Sequence, residues 1–494
     1  MSTGGIQRSG VQQSIAKALE TKAPAGVGTG AARPASGVQF RDGFEAPRAA
    51  LANLTGNPVA ASAASTSALV QSDTSGTGAL LTEARQQELR DRVDAELGKP
   101  WFYSEVLADP TLSQAERDFL YAHVASNPGN AWMFTGGQMP PVPLEQSLEM
   151  ANGVARAYEQ GLITDAQMSA FLDAMSPEEA ASFIQQLSLN PDNCRPGGSV
   201  DRVAQMLLAN APAGPKGDGM RAAAYFALSS TPELAATIPE DKRAEAFTLM
   251  TNFLESGGLF EALAGVNPQL TERLNAQRYQ ALAGFYGTYG EQLVREASVP
   301  QADRSQVNLQ VALADFFSKM VFAPEASNIQ MPNGGTVADH VVASTDRIGA
   351  AIIDQVTNAA PGDERAAALT LLATLSGTVG AGADIALRTY KDELEATRES
   401  RERFAGLLGG LAQAITPPTV PGAKAVASKS VEWVASAALQ RWIEDPEAPD
   451  FSASGALMGP WEAALYEASP EAYNDYSGVY AKVRQDIEDE INRR

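Results

Sequence analysis

The run Ser113-Gln114-Ala115-Glu116-Arg117-Asp118-Phe119-Leu120-Tyr121-Ala122-His123-Val124-Ala125-Ser126 decides the fold class. Its first four residues form a capping box: a serine oxygen that accepts from the third helical N–H, and a glutamate that reaches back to the serine N–H. The spacing predicts a helix to about Ser126. The same grammar returns along the chain. Thr82 caps a helix to about Leu97, closed by Gly98 and Pro100; Thr164 pairs with Gln167; Ser176-Pro177-Glu178-Glu179 and Thr231-Pro232-Glu233 place proline in the first turn. The joints Gln160-Gly161, Asn190-Pro191, Ser256-Gly257-Gly258 and Asn267-Pro268 are short, which favours neighbouring antiparallel helices. These starts are unevenly spaced, so an all-α irregular bundle is expected rather than a solenoid of repeats.

Outward from this body the composition changes. Residues 1–80 are built from Ala, Gly, Ser, Thr and Pro, including the run Ala60-Ala61-Ser62-Ala63-Ala64-Ser65-Thr66-Ser67-Ala68. Such a segment cannot bury enough apolar area to offset chain entropy, and a disordered head is expected. At 494 residues the chain exceeds one hydrophobic core, and two helical regions are expected, 81–322 and 323–494. Ala213-Gly214-Pro215-Lys216-Gly217-Asp218-Gly219 reads as the first break in the body. Around 329–337, Ile329-Gln330-Met331-Pro332-Asn333-Gly334-Gly335-Thr336-Val337 reads as a short β-hairpin across an Asn-Gly turn. Helices are then expected at Val337–Thr357 and Asp363–Leu375, followed by a long charged one from about Ala383 to Leu408.

Lys and Arg total 37 against 59 for Asp and Glu, a net charge of −22. That balance opposes approach to phosphate backbones, so neither nucleic acid nor an anionic membrane is an expected partner. The apolar stretches around Leu369–Leu375 and Phe404–Ile415 are too short to span a bilayer as drawn, so no stable transmembrane insertion is expected and the protein is expected to be soluble. Met1–Gly10 lacks a basic region followed by an apolar one, so export, if it occurs, uses no conventional signal peptide; a cytoplasmic location is the alternative.

Chemistry-bearing motifs are sparse. Cys194 is the single cysteine; it lies in a turn beside Arg195, where a cation lowers a thiol pKa, but a nucleophile also needs a base. The two histidines are His123, beside an apolar stripe, and His340, just inside a helix start. Metal sites and cofactors are therefore not expected. Gly377-Thr378-Val379-Gly380-Ala381-Gly382 lacks the Lys-Ser/Thr ending of a phosphate loop and reads as a helix joint or a close-packed small-residue face. Two residues stand as catalytic candidates: Glu105, set among Trp101, Phe102 and Tyr103 as a sugar-facing acid would be, and His340.

The head carries an island, Arg41-Asp42-Gly43-Phe44-Glu45, which resembles a short element in the low-complexity N-terminal heads of extracellular proteins from myxobacteria and related predatory bacteria. The resemblance covers residues 41 to roughly 56 and implies an exported or surface context and no activity. Farther on, a charged run at Arg388–Arg403 leads into Phe404-Ala405-Gly406-Leu407-Leu408-Gly409-Gly410-Leu411 and then an amphipathic segment with Trp433 and Trp442. This texture resembles the C-terminal helical regions of large bacterial export and toxin-related proteins. Phe404, Leu408, Leu411, Trp433 and Trp442 are thus the candidate interaction or membrane-active residues. The expected function is a non-enzymatic bacterial helical protein, exported or surface-associated, that binds a protein or cell-surface partner. The alternatives are a toxin-like effector with membrane-active C-terminal helices and a peptidoglycan or glycan hydrolase on a helical scaffold.

Overall fold

The computed structural model describes residues 81–99, 101–134, 143–255, 267–300, 304–360, 362–415, 437–445 and 470–493. The head at 1–80, the joint at Ser256-Gly257-Gly258 and Trp433 lie outside them. The described chain is 80% helical and contains no strand: this is an all-α protein. Its helices are α1 (Glu83–Glu96), α2 (Gln114–Ala125), α3 (Leu144–Glu159), α4 (Asp165–Asp173), α5 (Pro177–Ser188), α6 (Ser199–Asn210), α7 (Pro215–Leu228), α8 (Pro232–Ala235) and α9 (Arg243–Asn252). They continue as α10 (Pro268–Ser298), α11 (Ser305–Phe317), α12 (Val337–Asn358), α13 (Asp363–Thr389), α14 (Lys391–Ala396), α15 (Arg398–Ala414), α16 (Ala437–Glu444) and α17 (Pro470–Ile491).

The capping signals work as the spacing requires. The Ser113 hydroxyl accepts from Glu116 N while Glu116 Oε2 accepts from Ser113 N at 2.7 Å. Thr164 with Gln167 and Ser176 with Glu179 form the same reciprocal pair, and Thr82 and Thr231 each accept from the third helical N–H. Asn267 does so for Leu270, opening the 31-residue α10.

Packing runs through two sets of helices joined by α9 and α10. In the first, α7 packs on α5 and α6, and α3 packs on α2 and α5. Phe171 stands edge-on to both Phe134 and Phe183, with centroids 5.5 Å away in each case. In the second, α13 is flanked by α11, α12 and α17. Helix α9 packs on α7 as well as on α10 and α11, and Phe247, Tyr286 and Phe316 interlock there, Tyr286 and Phe316 with centroids 4.6 Å apart. Across residue 322, α10 packs on α12 and α11 on α13.

Four expectations are corrected by neighbours that local pattern does not show. The hairpin at 329–337 is reduced to one antiparallel bridge, Gln330 with Thr336. Its turn is closed by Gly334 N to Met331 O at 3.0 Å, and Gly334 and Gly335 take positive φ. The break at 213–219 is shorter than expected, since α7 begins at Pro215 and runs through Gly217 and Gly219. A Cβ on Gly217 would lie 1.7 Å from Pro212 O, so this glycine permits a close approach and does not end a helix.

The third correction is α13. It was expected to stop near Leu375, yet it passes unbroken through Gly377–Gly382 to Thr389. A Cβ on Gly382 would sit 2.5 Å from Ala314 O, and one on Gly377 3.0 Å from Val483 Cγ1. The glycines let α11 and α17 approach, and that packing offsets the ~1 kcal/mol each glycine costs in a helix interior. The fourth is the long charged helix, which is broken after Thr389 and again at Thr397, whose hydroxyl accepts from Ser400 N at 3.0 Å and opens α15. Buried Arg401 ties the ends together, donating to Glu395 O at 2.6 Å and Ile443 O at 2.8 Å. Running unbroken to Thr389, α13 is the one described helix long and apolar enough to cross a membrane, and 83% of its apolar window is buried inside the body.

Candidate functional site

The two catalytic candidates lie on separate elements. Glu105 occupies a single π-helical turn, Tyr103–Leu107, that buries Val106 and Leu107 and leaves the carboxylate exposed. Its own carbonyl accepts from Arg92, which also pairs with Asp109 at 2.7 Å. The aromatic residues here anchor the turn: Phe102 is buried, and Trp101 Nε1 donates to Glu96 at 2.8 Å.

His340 lies in the first turns of α12, behind a capping box in which Asp339 answers Thr336. It faces the α10 backbone, where a Cβ on Gly287 would lie 3.2 Å from both His340 Nε2 and Ser344 Oγ. Arg347 donates to Gly287 O at 2.9 Å. Burial and then the Arg347 charge hold the imidazole below its usual pKa.

The apolar candidates are core. Phe404, Leu408 and Leu411 of α15 and Trp442 of α16 are all buried, Leu408 and Leu411 fully. Phe404 lies tilted against Phe322 with centroids 4.8 Å apart and meets Trp442 edge-on at 5.4 Å. Trp433 lies outside the described residues.

Cys194 is buried, its thiol directed at the carbonyls of Ser188 and Asn190, each 3.4 Å away. Burial pushes its pKa up, the reverse of what Arg195 beside it suggested. Arg195 is occupied by Glu159 at 2.7 Å. His123 approaches Asp94 at 3.4 Å. Among the described residues no group of three or more His, Cys, Asp and Glu is placed to hold a metal.

Two features went unread in the sequence. Trp101 and Trp132 flank α2 with 44% and 50% of their surface exposed, unusual for the largest side chain. The second is a cluster assembled from four places: Glu255 beyond α9, Tyr279 on α10, Glu325 before the bridge and Tyr390 at the end of α13. The Tyr390 hydroxyl donates to Glu255 Oε1 at 2.6 Å. The residues on either side of Tyr279 pin α10 between the two glutamate segments, Arg278 donating to Leu254 O at 3.4 Å and Gln280 to Gln330 O at 2.7 Å. Burial first, and then the Glu255 and Glu325 charges, push the Tyr279 phenol well above its ordinary pKa. Tyr390 is raised by burial and by its bond to Glu255.

No family model, curated protein or solved structure matches the chain.

Proposed function

We propose that this chain is a non-enzymatic helical binding protein, exported or surface-associated in a bacterium, whose body engages another protein. The observation that supports this reading is the pair of exposed tryptophans, Trp101 and Trp132. Tryptophan supplies a disproportionate share of binding energy at protein interfaces, and two such rings on the turns flanking one helix give a partner purchase. The acidic surface implied by the net charge of −22 favours a basic partner through long-range steering.

The test is capture by the full-length protein from the extracellular and surface fraction of the source bacterium, beside a Trp101→Ala/Trp132→Ala variant. A protein retained in stoichiometric amount by the parent and weakened at least roughly 30-fold by the double change supports the reading, since a hot-spot tryptophan contributes about 2 kcal/mol. Retention unchanged by the substitutions argues against it. Clearing of cell-wall material in a zymogram favours the hydrolase instead.

A second reading, an effector whose helices rearrange in membranes, draws on the length and apolarity of α13. Leakage of anionic liposomes only at mildly acidic pH, where carboxylates are neutralised, favours it.

A further inference from the structure

We propose that Asn333 is a site of spontaneous deamidation, and that the fold shields the chain's other Asn-Gly pair from the same reaction. The proposal does not involve Trp101, Trp132 or their partner. The pair Asn-Gly occurs twice in the chain, at Asn152-Gly153 and Asn333-Gly334, and the two stand in opposite surroundings. Asn333, Gly334 and Gly335 are exposed at the tip of the turn between Gln330 and Thr336, with Gly334 and Gly335 at φ of 93° and 75°. Glycine has no Cβ to obstruct the approach of its own nitrogen to the preceding side chain, and its backbone reaches conformations closed to other residues. One backbone bond, Gly334 N–H to Met331 O at 3.0 Å, has to open first; a single bond at an exposed loop tip opens readily. Asn152 instead lies within α3, where its Oδ1 accepts from Asn193 Nδ2 at 2.9 Å and from Asn190 Nδ2 at 3.3 Å. Gly153 is buried against the Tyr121 ring, which an added Cβ would meet at 2.2 Å, so helix and packing together hold this second pair away from reaction.

In the reaction the Gly334 backbone nitrogen attacks Asn333 Cγ. A bond forms between them, the Cγ–Nδ2 bond breaks, and the proton of the attacking N–H passes through solvent to the departing nitrogen, so that ammonia leaves and a succinimide ring remains. Water, the co-reactant, then adds to either ring carbonyl. Opening at Cγ gives aspartate; opening at the main-chain carbonyl of residue 333 gives isoaspartate, in which the main chain runs through Cβ and Cγ. Nothing is oxidised or reduced. Either product puts a new carboxylate on the turn before α12. The isoaspartyl form also lengthens the main chain inside a turn closed by Gly334 N to Met331 O at 3.0 Å and Met331 N to Gly335 O at 2.9 Å. At the base of that turn Gln330 O accepts from Gln280 of α10 at 2.7 Å, so lengthening loosens the tie between the turn and α10.

The test is incubation of the full-length protein in warm, mildly alkaline buffer made with oxygen-18 water, followed by tryptic digestion and mass spectrometry with fragmentation that separates aspartate from isoaspartate. The expected result is conversion at Asn333, in the peptide from Met320 to Arg347, with labelled oxygen incorporated and isoaspartate present beside aspartate. Conversion at Asn152 should be slower by roughly 100-fold, since attack there requires local opening of α3. In protein unfolded by urea the two asparagines should convert at similar rates, which assigns the difference to the fold. Asn333→Gln, whose longer side chain disfavours ring closure, should remove the acidic species that the ageing parent shows on anion exchange. An intact Asn333 after an incubation that converts the unfolded chain, equal rates at the two sites in the folded protein, the folded ratio persisting in urea, or conversion without label from water would overturn the proposal.

Discussion

A methyl group at Gly382 has no room: the added carbon would lie 2.5 Å from Ala314 O and 2.7 Å from Phe317 Cβ. Gly382→Ala should therefore force α11 and α13 apart and cost about 1–3 kcal/mol in a denaturant melt, as overpacking does. Gly406, with nothing within 4 Å of the same position, is the control, and there alanine should be neutral or stabilising by up to about 1 kcal/mol. Equal effects at the two sites would contradict the close approach. His340 makes a second residue-scale prediction. Its pKa is lowered in the folded state from 6.5, so the unfolded chain binds the proton more tightly. Stability from this group is complete above about pH 6.5 and declines as pH falls below it. Comparing melts from pH 7.5 to 5, His340→Gln should flatten that decline; an unchanged slope would contradict the account. Little of this was legible in advance. His340 could be placed at a helix start from Thr336–His340, but its partners, Gly287 and Arg347, come from a different helix or a later turn. The Tyr390–Glu255 hydrogen bond joins residues 135 apart in the chain, and no motif marks either of them.

Among the elements, the helices that could be read were those whose signals are local. The boxes at Ser113, Thr164 and Ser176 are complete within four residues, and each helix begins where its box places it. Thr336 with Asp339 was missed because aspartate stands where glutamate or glutamine is usual. The continuity of α13 was half legible: Gly377–Gly382 reads in sequence as a helix joint or as a close-packed small-residue face, and the approach of α11 and α17 is what decides for the second. Helix α15 carries the corresponding prediction. Leu408 is fully buried, so Leu408→Asp places an unpaired charge in an apolar interface, at a cost of several kcal/mol. The variant should lose helicity or melt far below the parent at neutral pH with no lipid present. A melt that is unchanged, together with loss of acid-triggered liposome leakage, would favour the membrane-active effector.

At the scale of the whole molecule, a net charge of −22 repels itself, and most of the ion pairs among the described residues are partly exposed, where each contributes about 0–1 kcal/mol. Repulsion should outweigh them. Raising sodium chloride from low to moderate concentration should increase the melting temperature, and a fall would mean that the pairs matter more than the surplus charge. Charge, however, does not organise this body. The central claim is that its C-terminal half is built on α13, enclosed by α11, α12 and α17. Hydrogen exchange on the full-length protein without lipid measures this directly. Amides from Leu371 to Ala386 should be among the slowest in the chain, opening only with global unfolding. Exchange of the Gly377–Gly382 amides as fast as that of helix ends would contradict the account.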